Sequence, residues 1–232
     1  MCGRYKLDLP QIAFKFIEAD APSASLQSRY NIKPTQRVYV SRALKTIEEM
    51  QWGIKPPWGT ASNILINAKS ETVREKRSFK KSFTERRCLM VADGFFEWLT
   101  EGKVKTPFLF TLKDRAPFAI GAFYDAPATE EDANRCCLLT TTPNEILQPI
   151  HDRMPVIIRK EDWQEWFAPG DLSESTFKRI TAPYDASSMN PALELSRFIN
   201  TAKEDSARCI DPAPPMPTRP KAATPPPQQE LF

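Results

Sequence analysis

The sequence predicts an α+β fold: one β-rich domain, mainly antiparallel sheet with a few flanking helices, followed by a proline-rich flexible tail. Three observations carry this. Short runs rich in β-branched and aromatic residues recur from residue 37 to residue 159. They do not alternate regularly with helical segments, which argues against a doubly wound parallel sheet. The last 22 residues then change composition altogether.

The elements follow in order. Residues 10–19 suit a helix, with Pro10 at its first position, where the missing N–H costs nothing. Strands are expected at 37–42 (RVYVSR), 48–52 (EEMQW), 64–67 (ILIN), 87–92 (RCLMVA), 95–99 (FFEWL), 107–112 (PFLFTL), 118–124 (FAIGAFY), 136–141 (CCLLTT) and 155–159 (PVIIR). Two helices follow, at 162–167 and 174–180, the latter with Ser173 as N-cap. From Asp211 to Pro227 the chain holds 8 of its 22 prolines. Proline lacks the backbone N–H and fixes φ, so this stretch should be an extended tether rather than helix or sheet. The expected division is a domain over 1–210 and a tail over 211–232.

The chain has 232 residues, 41% of them hydrophobic, enough for one sizeable core. The 32 basic and 29 acidic residues leave a net +3, so any site for nucleic acid must be a local concentration of charge. No apolar run approaches the length of a membrane span, and the N-terminus lacks the apolar core of a signal peptide. The five cysteines are odd in number and form no CxxC pair, which argues against a disulfide framework or a zinc site and for a reducing cytoplasm.

Cys2 is the first chemical candidate. Loss of Met1 would leave an α-amine and a β-thiol on one residue, each partly deprotonated near neutral pH. A 1,2-aminothiol suits aldehydes: the amine forms a Schiff base, and the thiol closes a five-membered thiazolidine. His151, in PIHDRMPV, is the chain's single histidine and a candidate proton carrier at a cleft. Glu97, in ADGFFEWLTEG, is either a solvent-facing alternate residue or a carboxyl among aromatics; burial would raise its pKa and suit it to acid–base work. Asn67, in INAKSET, is either a turn former or an amide that orients a reacting group. Residues 69–87 carry eight basic and three acidic side chains with Phe79 and Phe83 interleaved. This is either a solvated helix face or a phosphate track that includes Lys69, Arg74 and Arg77. Trp52 and Trp58 are candidate stacking surfaces for bases, or core.

Six motifs in order are together far more specific: MCGRY, RYNIKPTQ, QWGIKPPW, NAKSETVREKRSF, RRCLMVADGFFEW and IHDRMPV. They closely resemble the SRAP family, the SOS response-associated peptidase proteins, over about residues 1–200. The resemblance implies a single SRAP domain that shields abasic sites in single-stranded DNA, with self-processing removal of Met1. It implies Cys2 as the thiazolidine-forming nucleophile and Asn67 as the residue positioning its amine. It implies Glu97 as acid and base, His151 as proton donor to the sugar oxygen, and Arg4 and Lys69 as phosphate contacts. Lys69 departs from the family's usual arginine and so lacks the bidentate fork. Neither metal nor organic cofactor is required, and the expected state is a cytoplasmic monomer, at the nucleoid during replication.

Two other readings remain: a cysteine peptidase using Cys2, His151 and Glu97, and a non-covalent DNA-binding adaptor. The chain ends in QQELF, which resembles the pentapeptide that docks on bacterial DNA sliding clamps. Leu231 and Phe232 would anchor in an apolar pocket and Gln228 would bond at its rim.

Overall fold

In the computed structural model, residues 2–20, 26–56, 63–125, 134–201 and 203–214 are described. Thirteen strands are found among them: β1 (Tyr5–Leu7), β2 (Arg29–Ile32), β3 (Arg37–Ser41), β4 (Glu48–Trp52), β5 (Asn67–Lys69), β6 (Arg87–Ala92), β7 (Gly94–Glu101), β8 (Val104–Phe110), β9 (Phe118–Asp125), β10 (Arg135–Thr141), β11 (Met154–Pro155), β12 (Ile157–Ile158) and β13 (Leu193–Glu194). The helices are α1 (Pro10–Ile17), α2 (Ser70–Val73), α3 (Lys80–Glu85), α4 (Trp163–Phe167), α5 (Glu174–Thr181) and α6 (Phe198–Thr201).

The larger sheet closes on itself. β4 pairs β3, β3 pairs β6, β6 pairs β9, β9 pairs β10, and β10 returns to β4. All these pairings are antiparallel except the last, and β5 joins β10 in parallel as well. Closure removes exposed edges. It also explains why β6 is buried at every residue: one face fills the barrel and the other is covered by helices. α4 supplies part of that cover. Trp166 donates its indole N–H to the Cys88 carbonyl at 2.9 Å, and Arg87 donates back to the Trp166 carbonyl at 2.7 Å.

The second sheet runs β13-β8-β7-β1-β2 and is built on a long β7–β8 hairpin. The hairpin turns at Gly102 and Lys103 between the paired residues Glu101 and Val104, and Gly102 takes φ +59°, a conformation glycine adopts without strain. β1 lies along the other edge of β7, with Tyr5 opposite Phe95 and Lys6 opposite Gly94. A buried ionic cluster holds it there. The Lys6 ammonium pairs with Asp8 and, at 2.9 Å, with Asp93, whose second oxygen accepts the Leu9 N–H at 2.8 Å. A charge so enclosed is tolerable only with such partners.

Most expected strands appear within two or three residues of their places. The segment expected as a strand at 64–67 is different: β5 begins only at Asn67, and Leu65 makes a single bridge to Ile54. Here the chain crosses Gly53 so closely that a Cβ on Gly53 would stand 2.2 Å from Ile64 Cγ2. The segment 155–159 splits in two because it changes partner, β11 pairing β10 and β12 pairing β9. β1, β2 and β13 are strands of two to four residues that the sequence does not announce. Pairing also continues past residue 210: Ser196 donates to the Asp211 carbonyl and Ala213 to that of Glu194. Ser173 caps α5, accepting the Thr176 N–H at 3.1 Å. Among the described residues no helix is long and apolar enough to cross a membrane.

Candidate functional site

The edge pairing of β1 on β7 decides where the N-terminus lies. The Phe96 N–H donates to the Arg4 carbonyl at 3.0 Å, and continuing the β1–β7 register sets Gly3 opposite Glu97. Met1 lies outside the described residues. Cys2 is fully buried, with its thiol 3.9 Å from the Arg4 carbonyl. Burial pushes that thiol well above its usual range, and the nearby Glu97 carboxylate adds to the shift. The Asn67 amide, at the first position of β5, donates to the Cys2 carbonyl at 2.7 Å. Three strands, β1, β5 and β7, thus converge on residue 2.

Glu97 is 2% exposed. Desolvation pushes its carboxyl up to about 7, with the Asp152 carboxylate adding to the effect. His151 faces it from the loop between β10 and β11, with Nε2 3.6 Å from Glu97 Oε2. Partial burial lowers the His151 pKa, so the ring is predominantly neutral at pH 7. That loop is braced at both ends: the His151 N–H donates to the Leu147 carbonyl at 2.9 Å, and Arg153 binds both oxygens of Glu71. The two motifs NAKSE and IHDR are therefore locked together in space.

A cleft of about 680 Å³ opens at this point. Gly3, Arg4, Glu97, Trp98 and His151 line its inner part. Lys103, Val104 and Lys105 of the hairpin and Arg197 line its outer part. Arg4 sits with its guanidinium 5.4 Å from the Trp98 ring centre and donates to the Ile199 carbonyl at 2.6 Å. Chemically, the inner cleft combines a buried carboxyl that titrates near neutrality and a neutral imidazole, with the buried Cys2 behind Gly3. The carboxyl and the imidazole can move protons.

The family model described as SOS response associated peptidase (SRAP) matches residues 1–201. The chain belongs to the SRAP family. Within it, the chain is similar to the abasic site processing protein YoaM of Bacillus subtilis, at 34% identity over 91% of this chain and 98% of that one. It is also similar to the abasic site processing protein YedK of Escherichia coli, at 30% identity over 91% of this chain and 100% of that one. In fold, this SRAP domain matches a crystal structure of a protein from Bacteroides thetaiotaomicron with a TM-score of 0.79 at 22% identity, covering 91% and 100% of the two chains.

The SRAP residues expected from sequence do not all gather. Cys2, Asn67, Glu97, His151 and Arg4 do. Lys69 is exposed and, two residues from Asn67, shares its face of β5. Arg77 is exposed just after α2. Arg74 is engaged within the fold: its guanidinium is held by Glu174 at 2.8 Å and the Leu172 carbonyl at 3.2 Å, 5.1 Å from the centre of the Phe177 ring, so it ties α2 to the region of α5. Trp52 is a correction: it is wholly buried against Tyr5 and donates to the Ile66 carbonyl, leaving no face for a base. Phe79 and Phe83 likewise pack on Phe123 in the core. Trp58, Gln228, Leu231 and Phe232 lie outside the described residues. The sequence does not single out the cleft residues Trp98, Lys103, Lys105 and Arg197. The EGKVK turn beside FFEW was the available signal, since a hairpin returning past Glu97 must carry its tip residues along the same cleft.

Proposed function

We propose that this chain captures abasic sites in single-stranded DNA by covalent crosslinking through Cys2, shielding them during replication or the SOS response. The observation that supports it is the Asn67–Cys2 contact beside the Glu97–His151 pair, at the head of a cleft with cationic walls. The names of the Bacillus and Escherichia relatives point the same way. Hydrolysis of the Met1–Cys2 bond releases methionine and frees the Cys2 amine. The amine adds to the sugar's C1′ aldehyde, and the carbinolamine loses water to give an imine. The thiol sulfur then bonds C1′ while its proton passes to nitrogen, closing the thiazolidine. Glu97 carries protons in the addition and dehydration steps. Asn67 holds residue 2 in place, and His151 serves the ring oxygen as the sugar opens. Arg4, Lys69 and Arg77 bind phosphates along the strand. The protein acts as a monomer in the cytoplasm.

Mass spectrometry and a denaturing gel test this. An abasic oligonucleotide should give a conjugate that survives denaturation, one protein mass plus one oligonucleotide mass less one water. Undiminished conjugate with Cys2→Ala, or with protein retaining Met1, defeats the thiazolidine chemistry. Cleavage of added peptides without conjugation would favour the cysteine peptidase, and salt-reversible binding alone would favour a passive adaptor. We further propose that Gln228-Gln229-Glu230-Leu231-Phe232 docks on the bacterial β sliding clamp. Its support is the likeness of these five residues to the clamp-docking pentapeptide, following the proline-rich stretch over 211–227.

A further inference from the structure

Glu71 lies on α2, four residues after Asn67 and outside the cleft lining. Both its oxygens receive the Arg153 guanidinium, at 2.6 and 2.8 Å. The same guanidinium donates to the Thr140 carbonyl of β10 at 2.7 Å. Two parallel bonds and a third at an angle fix the plane of this buried side chain and the backbone that carries it. The consequence falls on the residue two positions earlier. The Arg153 main-chain N–H donates to His151 Nδ1 at 3.0 Å. An amide N–H can only donate, so this bond requires Nδ1 of the neutral ring to be bare and its single proton to sit on Nε2. Nε2 is the nitrogen that faces Glu97. Two acceptors near Nδ1 favour the opposite tautomer. The Arg153 carbonyl is one, at 3.3 Å, a longer contact than the amide makes. The Asp152 carboxylate is the other, at 3.1 Å, but its side chain is 86% exposed and water weakens its pull.

We propose that Glu71 is a positioning residue: through Arg153 it holds His151 as the neutral Nε2–H tautomer, which hydrogen-bonds the sugar's ring oxygen while Glu97 moves the protons. The mechanistic half rests on the abasic-site reading; the tautomer does not. An imidazolium giving up its Nε2 proton would end as the Nδ1–H tautomer, the form the Arg153 amide opposes. A neutral Nε2–H donor avoids that conflict and only polarises the oxygen. In ring opening the C1′–O4′ bond breaks, O4′ gains a proton and the C1′ hydroxyl loses one. A single carboxyl can give the first and take the second, so no net proton is consumed. Glu97, titrating at about 7, is available in both forms.

His151 is the only histidine in the chain, so a long-range ¹H–¹⁵N spectrum of histidine-labelled protein reads its state without DNA. The wild type at pH 7 should show a protonated Nε2 and a bare Nδ1. Glu71→Ala should give a mixture of tautomers, and Glu71→Gln, which keeps the volume and one hydrogen bond, a smaller change. Thermal melts confirm that each variant is folded, and Glu71→Gln decides the matter if Glu71→Ala is not. An Nδ1–H form or an imidazolium in the wild type overturns the proposal, as do identical spectra in wild type and variant. In the kinetic arm, Glu71→Ala should slow conjugation to a closed abasic sugar roughly tenfold, part of the ~100- to 10,000-fold that a positioned donor supplies. An oligonucleotide bearing an acyclic aldehyde, with no ring to open, should react with little change. Equal slowing on both substrates overturns the assigned role. If the wild type conjugates neither, the abasic-site reading fails, and the spectrum still decides the tautomer.

Discussion

Glu97 shows what burying one carboxyl does to stability. An isolated glutamate titrates near 4.5, and in this fold desolvation lifts it to about 7. A carboxyl raised in this way contributes stability that is full below the unfolded value and lost as pH rises through the folded one. Between those limits the unfolded chain ionises more readily than the folded one. Holding this carboxyl in its buried site at pH 8 then costs about 3 kcal/mol, since a tenfold difference in proton affinity corresponds to ~1.4 kcal/mol. Glu97→Gln should therefore be more stable than the wild type at pH 8, with the gain shrinking as pH falls through 7 toward 4.5. Urea melts at several pH values measure it. A gain independent of pH would show that Glu97 is not held protonated by its surroundings. The same variant should lose most conjugation, since an amide cannot shuttle the protons.

Among the elements, the β7–β8 hairpin and α2 separate two roles for cations. Lys103, Lys105 and Arg197 line the outer cleft, and among the described residues none of their side chains has an ion-pair or hydrogen-bond partner. Their charges are available to phosphates. Neutralising each should lower the salt slope of single-strand binding by about 0.7, the value for one released counterion. Arg74 belongs to the same basic run that the sequence marks, yet it is engaged by Glu174, Leu172 and Phe177. Arg74→Ala should cost about 1 kcal/mol in folding and leave the salt slope unchanged. Binding isotherms from low to high salt, beside melts of the same variants, distinguish the two groups. A reduced slope for Arg74→Ala would return it to the DNA path.

Across the molecule, the closed barrel and the short sheet bring Cys2 beside the cleft, and the proposed clamp motif lies at residues 228–232. A protein truncated after residue 214 retains the Ser196–Asp211 and Glu194–Ala213 pairings. It should fold and crosslink abasic DNA at the full-length rate. Binding to the β clamp should vanish on truncation and in Leu231→Ala/Phe232→Ala, measured by titration against the isolated clamp. Equal clamp affinity for full-length and truncated protein would remove the docking role of the tail. Loss of crosslinking on naked DNA after truncation would instead make residues beyond 214 part of the domain's function.

Local composition and motif order were enough to reveal the class of fold, most strands and the residues that the fold brings together at the cleft. β6, β9 and β10 read as strands because their apolar runs are bounded and rich in residues that pack on sheet. Cys2, Asn67, Glu97 and His151 read as candidates through the motifs around them. Which charges and rings are free was settled only when the chain packed. Lys69 and Arg74 lie in one basic run, and Trp52 and Glu97 both sit beside aromatics or glycines, yet their fates differ with the partners that distant segments bring. Arg74 meets Glu174, Trp52 meets Tyr5 and the Ile66 carbonyl, and Glu97 meets His151. Burial and pairing depend on contacts between residues far apart in the chain, so local composition can nominate a charged or aromatic side chain but cannot say whether the fold has already used it.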